Sequence, residues 1–287
     1  MFQLRLKGLP TRSIFNKLRP ILTLGIFDEF NLNQRWIVAQ VVERAKSIGA
    51  PSIILLLRPR PLEALGLEYK PYCTSVAEVQ RDAFSLGVSY VGLLVMNKNL
   101  TVCDPKIFLH SLLKRLNFSE LWLGTGSTVG RGPSGSPEAV SRIGRDYGFL
   151  VNYVSAPNEV ENGAFARLFV YGAVEEAYKF RGSPLSITAG LAEIRIVDNL
   201  IFGIIVFPER QLLPPPGFYS CTLSGKNGRR DEQCILEIIL DQEIFKGHLV
   251  GARSLRHLAK TGDLTLTITF VKNLRKSIYK EAVRLTS

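Results

Sequence analysis

The sequence predicts two domains of different class, a doubly wound parallel-sheet α/β domain over residues 1–183 and a small antiparallel β domain, a barrel or sandwich, over residues 184–287. Three observations predict this. Between Ile21 and Tyr153 short apolar runs alternate with amphipathic stretches, which calls for a parallel sheet covered on both faces. From Ser183 onward strand-like segments follow one another with turn signals and no intervening helix. A chain of 287 residues is also long enough to bury two cores.

In the first half, Ile21–Phe27, Ser52–Leu57, Ser89–Val95, Glu120–Leu123 and Phe149–Val154 read as strands buried on both faces. Helical spacing fills the gaps at Gln34–Ile48, Val76–Leu86, Lys106–Leu116 and Ser136–Tyr147. Ile37, Val38, Val41, Val42 and Ala45 make one apolar stripe on the first of these helices. Two further helices, Glu161–Val170 and Ala173–Phe180, lead to a boundary near Gly182–Pro184. Beyond it come strands at Ile194–Val197, Ile201–Val206, Phe218–Leu223, Cys234–Leu240 and Leu264–Val271. Turns at Leu213–Gly217 and Ser224–Gly228 separate them. The last strand alternates strictly as Leu-Thr-Leu-Thr-Ile-Thr-Phe, as a half-buried antiparallel strand should. A helix over Ser277–Leu285 closes the chain.

Composition narrows the function classes. No apolar run approaches the roughly 18 residues that span a bilayer, so no membrane role is expected. The four cysteines (Cys73, Cys103, Cys221, Cys234) and three histidines (His110, His248, His257) show no metal-ligand spacing, so no metal site is expected. Scattered cysteines fit a reduced, cytoplasmic setting. The net charge of +11 favours an anionic partner, whether nucleotide, phosphate or nucleic acid, although the basic residues are spread along the chain. Residues 1–27 carry Arg5, Lys7, Arg12, Lys17 and Arg19 and nothing acidic before the first strand ends, as a transit peptide would. The segment runs straight into that strand, which favours the cytoplasm.

Several short motifs stand at collinear positions. Gly25-Ile-Phe-Asp28 is similar to the opening of G-x-F-D-G-x-H-x-G-H, with Glu29, Asn31, Asn33 and Gln34 at the glycine and histidine positions. Leu57-Arg-Pro-Arg-Pro61 resembles F-x-P-H-P, with Arg60 in place of histidine. Leu121–Gly130 resembles V-V-G-x-D-F-x-F-G, keeping Gly124 and Gly130, and Gly135 follows. Gly172–Ala177 with Gly182 and Pro184 matches G-x-V-x-x-A…G-R-P. Val160–Ala166 stands in the register of I-S-S-T-R-I-R, with Arg167 one position past the last arginine. Pro215–Ser220 and Phe270–Arg275 resemble G-V-Y-A and F-L-K-x-L-R, while Gly203–Pro208 lacks the threonine and asparagine of G-F-P-T-A-N. Together, from Leu22 to Lys276, these resemble the bacterial bifunctional FAD synthetases. The resemblance implies a nucleotidyltransferase-like domain, a flavokinase-like β-barrel, and use of magnesium-ATP with riboflavin, FMN and FAD.

By that resemblance Asn31 and Gln34 stand at catalytic positions and Glu237 at one register of the kinase base. Gly25, Phe27, Asp28, Arg60, Gly124 and Gly130 stand at nucleotide-binding ones, and Arg131 and Arg167 are candidates to replace lost phosphate contacts, or else solvated surface arginines. Two histidines three apart share a helix face and act as cations on a triphosphate, whereas Asn31 and Gln34 donate only neutral hydrogen bonds. Neutral bonds are worth about 0.5–1.5 kcal/mol, and charged ones about 1.5–3 kcal/mol. The implied protein is therefore an FAD-synthetase-like binder of flavin or nucleotide with impaired catalysis. Two alternatives stand beside it, an active divergent enzyme using Arg60, Arg131 and Arg167, and a basic nucleic-acid or interaction protein. Bland readings also exist: Asn31 as a helix N-cap, Asp28 as a loop cap, Glu237 as a solvent-facing strand residue, and the glycines as turn formers.

Overall fold

The computed structural model describes residues 5–130, 133–157, 160–197, 200–225, 232–241, 244–250 and 265–274. The chain packs as two compact units, Met1–Lys70 with Val79–Val160, and Pro71–Glu78 with Glu161–Ser287. The segment 71–78 and the helices after Val160 therefore count with the second unit.

In chain order the α/β elements are β1 (Leu6–Lys7), α1 (Arg12–Leu18), β2 (Ile21–Gly25), α2 (Leu32–Ser47), β3 (Ser52–Arg58), α3 (Pro61–Ala64) and α4 (Val76–Ser85). They continue with β4 (Tyr90–Val95), α5 (Lys98–Thr101), α6 (Pro105–Leu116), β5 (Glu120–Gly124), α7 (Pro137–Tyr147) and β6 (Leu150–Val154). The strands form one sheet in the order β1-β4-β3-β2-β5-β6. All neighbours are parallel except the short edge pair β1–β4. Phe15, Phe108, Leu112, Leu116, Val140 and Ile143 from α1, α6 and α7 share one core with the sheet. On the other face Val41 and Ala45 of α2 pack on Ile21. The sheet is thus doubly wound, as the alternating pattern predicts.

Local chemistry sets the element ends. The β3 sequence Ser-Ile-Ile-Leu-Leu-Leu-Arg is apolar on both faces because helices cover both. Asp104 caps α6 by accepting from the Lys106 and Ile107 amides at 2.8 and 3.3 Å, with Pro105 at the first position. Ser136 caps α7 in the same way through Ala139, and Gly148 ends it in the left-handed conformation. One correction and one addition follow. The first strand ends at Gly25, because Phe27 adopts a positive φ of 47° that no strand contains. The basic N-terminal stretch is partly built into the fold: Leu6 pairs with Leu94, and Phe15 is fully buried.

The second unit begins with α8 (Ala164–Val170) and α9 (Val174–Arg181). Six strands follow: β7 (Ser186–Val197), β8 (Leu200–Val206), β9 (Gly217–Gly225), β10 (Glu232–Asp241), β11 (Ile244–Val250) and β12 (Thr265–Leu274). They close into an antiparallel barrel in the order β10-β11-β8-β7-β12-β9. Leu223, Leu236, Leu249, Ile268 and Phe270 fill it. In β12 Leu266, Ile268 and Phe270 are buried and Thr265, Thr267 and Thr269 half-buried, as the alternation requires. Strand β11 went unpredicted, and β7 begins at Ser186 rather than Ile194. The closing helix expected at Ser277–Leu285, the turn residue Gly228, and His257 lie outside the described residues.

Candidate functional site

Spatial order and chain order together locate the site. From β2 the chain winds outward through β3 and β4, then returns to the other side of β2 for β5 and β6. The winding reverses between β2 and β5, and ligands of open α/β sheets bind outside the carboxyl ends of the strands at such a point. Gly25 ends β2 and Gly124 ends β5. The structure thus brings these two sequence candidates together.

The loop after β2 is tightly organised. A side chain on Gly25 would meet the Phe27 ring at 3.1 Å, so the glycine lets that ring fold back over the strand end. Phe27 is buried beside Phe30, with ring centroids 6.2 Å apart. Asp28 receives the Arg58 guanidinium at 3.3 Å and the Arg60 guanidinium in a still closer ion pair. Both arginines are buried, and Arg60 also donates to the Lys70 carbonyl at 2.9 Å. A magnesium ion needs a carboxylate whose oxygens face it. Asp28 turns both oxygens to guanidinium groups, so it does not fit that role.

Asn31 and Gln34 form a capping box at the start of α2. The Asn31 side chain accepts from the Gln34 amide at 3.1 Å, and the Gln34 side chain accepts from the Asn31 amide at 3.2 Å. Asn31 also donates to buried Glu29 at 3.3 Å. Asn33 makes two bonds to Val160, donating to its carbonyl at 2.7 Å and accepting from its amide at 3.0 Å. All four residues at the glycine and histidine positions of the resembling motif are therefore engaged in local structure or in tethering Val160.

The loop after β5 passes Gly130, with a φ of 78°. A side chain on Gly135 would meet the Val129 carbonyl oxygen at 2.1 Å, an overlap no other residue permits. Trp122 is half-buried against the Ile21, Val41 and Ala45 cluster and donates its indole N–H to Glu120 at 2.9 Å. Beside these loops lies an apolar cavity of about 280 Å³, lined by Leu24, Leu57, Leu62, Met96, Leu100 and Phe108 among others. Thr128 and Gly130 form part of its wall. Sequence reasoning missed both this cavity and Arg58. Arg58 was visible as a cation at a strand end, but the cavity gathers residues from four stretches of chain, around 24, 57–62, 96–108 and 128–130, and left no local signal.

Two candidates belong to the second unit. Arg167 on α8 is exposed and paired with Glu161 at 2.7 Å, which holds the Glu161 carboxyl below its usual range. Glu237 on β10 lies between buried Leu236 and Ile238, so it faces away from the barrel interior, where it meets His248 at 3.4 Å. Arg131 lies outside the described residues.

An open doubly wound sheet with glycine loops at its switch point, followed in one chain by a closed antiparallel barrel, defines the class. Within that class the chain belongs to the FAD synthetase family, whose model matches residues 16–164. A bifunctional riboflavin kinase/FMN adenylyltransferase of Pseudomonas fluorescens is 28% identical over 142 residues, 47% of this chain and 46% of that protein. The match thus spans about half the length of that relative. The solved structure of a macrolide-efflux protein from Streptococcus pneumoniae shares the fold, with a TM-score of 0.72 at 16% identity, covering 93% of this chain and 89% of that one.

Proposed function

We propose that this chain is a flavin- or nucleotide-binding member of its family with impaired adenylyl transfer, a pseudoenzyme of the cytoplasm. In this reading residues 1–183 carry the nucleotidyltransferase-like domain and residues 184–287 the flavokinase-like one. The observation that carries it is the capping box: Asn31 and Gln34 spend their side chains on the backbone of α2. Neither side chain can become a cation, and each is held on an amide of its own helical turn. Adenylyl transfer needs preorganised charge where the triphosphate develops it, and losing one such donor commonly costs roughly 10²–10³ in rate.

Binding is a separate matter. The cavity is apolar with a small polar wall, which suits a planar aromatic ring such as that of FMN or FAD. The glycine loops and the first turn of α2 suit a nucleotide phosphate. The rival reading, an active divergent enzyme, would recruit Arg60, Arg131 and Arg167 as substitutes. Arg60 is committed to Asp28 and Lys70, and Arg167 to Glu161. The test is to incubate the purified chain with riboflavin or FMN and magnesium-ATP while following flavin fluorescence. Flavin binding without new flavin nucleotides is the expected result. Robust FAD formation would establish the divergent enzyme instead.

A further inference from the structure

The helices α1, α6 and α7 make one layer over the sheet, and only the buried side of α6, through Pro105 and Phe108, reaches the cavity of the candidate site. Hydrogen bonds tie it together: Asn117, which caps α6, donates to the Asn16 carbonyl at 3.0 Å, and Arg19, which caps α1, donates to the Gly148 carbonyl at 3.1 Å. The solvent side of this layer is strongly basic. Lys17 and Arg19 are exposed at the end of α1, and Lys106, Lys114 and Arg115 are exposed on α6. Arg142 and Arg145 add to it from α7, against three exposed acids in these helices and their caps, Asp104, Glu138 and Asp146. Among the described residues none of these seven cations is in an ion pair. On the opposite layer, by contrast, Arg35 is paired with Asp82 at 2.7 Å and Arg44 with Glu120 at 2.7 Å.

Aliphatic side chains stand among these cations. Ile14 and Leu18, four apart on α1, are each 43% exposed, and Ile107 on α6 is 56% exposed. The nearby Tyr147 offers no stacking platform, because the His110 ring already lies on it at 4.4 Å. A face that binds single-stranded nucleic acid adds such a platform to its cations. Cations interleaved with exposed aliphatics match a different partner. Lys and Arg attract anionic headgroups, and aliphatic side chains gain by entering the headgroup–acyl boundary.

We propose that the α1–α6–α7 layer is a peripheral docking face for an anionic phospholipid bilayer. No helix among the described residues is long and apolar enough to cross a membrane, so the contact is a surface one. It is independent of the flavin-binding reading, since none of these side chains belongs to that site.

The full chain is sedimented with vesicles of phosphatidylcholine, with and without phosphatidylglycerol, at low and high salt. Binding is expected only with phosphatidylglycerol and is expected to weaken as salt rises. Lys114→Glu with Arg115→Glu should reduce it by at least about 25-fold, roughly fivefold for each cation removed. Leu18→Ser with Ile107→Ser should weaken binding while leaving its salt dependence intact. Arg81→Glu, on the opposite layer, should leave binding unchanged. Absence of binding to the anionic vesicles overturns the proposal, as does equal binding by the Lys114/Arg115 variant. Binding of a single-stranded oligonucleotide that this variant abolishes, with no vesicle binding, would assign the face to nucleic acid and likewise overturn it.

Discussion

Asn31 and Gln34 hold each other across the first turn of α2, each side chain accepting the other residue's backbone N–H, at 3.1 and 3.2 Å. A structural role of this kind has measurable consequences. Asn31→Ala should lower stability by about 1 kcal/mol, and Gln34→Ala by less, in urea unfolding. Asn31→His with Gln34→His should leave FAD formation at background, because Glu29 and Asn33 still stand where the resembling motif has glycine. Groups that act as a unit recover little from partial repair. FAD formation by that double variant would refute the structural reading of the turn.

Asp28 neutralises two guanidinium groups that are themselves buried. Removing one partner of such an arrangement leaves charge uncompensated in a poorly solvated place, at a cost of about 3–5 kcal/mol. Asp28→Asn should therefore destabilise the first unit strongly. The urea midpoint is the readout, and an unchanged midpoint would mean that the arginines find other acceptors.

The apolar cavity makes a prediction about flavin that is separate from catalysis. Leu62 lines it while remaining 47% exposed, so Leu62→Trp can fill the cavity without straining the core. Stability should stay within about 0.5 kcal/mol of the parent, as for most exposed substitutions. FMN affinity, followed by fluorescence quenching, should fall by roughly tenfold or more, since a blocked pocket removes most ligand burial. Unchanged affinity would place the flavin elsewhere.

Tyr178 and Tyr219 give the barrel unit an alkaline limit. Burial is the main cause that pushes both phenols above their ordinary range, with the buried Cys221 adding to it. Tyr178 donates to the Phe270 carbonyl, and Tyr219 to the Pro215 carbonyl at 2.7 Å. The folded pKa values are raised, so the stability they contribute is complete below the unfolded value near 10 and is lost as pH rises beyond it. Each buried phenol should contribute a decline of up to about 1.4 kcal/mol per pH unit in that window. Tyr178→Phe should make the decline shallower in urea midpoints compared below and above pH 10.

Much of the fold was legible because local chemistry and tertiary packing agree. The β3 run Ser52–Leu57 has no polar face, so only a strand covered on both sides suits it. Strand β11 was not legible, because Gly247 interrupts it like a turn signal. The structure gives that glycine a packing reason: a side chain there would meet Leu236 at 2.8 Å inside the barrel. The site was legible in part. Gly25 and Gly124 could be named from their motifs, but their meeting across β2 and β5 follows from strand order, which periodicity does not encode.

The sequence by itself determined the two architectures, most of the strand and helix positions, and the absence of histidine at positions 31 and 34. These follow from apolar period, turn residues and residue identity, all local along the chain. Only the tertiary structure decided what those residues touch. It set Asn31 and Gln34 on each other's backbone, turned Asp28 onto Arg58 and Arg60, and gathered cations spread over residues 17–145 onto one helical layer. The physical reason is that a parallel sheet brings together segments far apart in the chain. Charge and cavity shape at a surface are sums over those segments, and no window of sequence contains the sum.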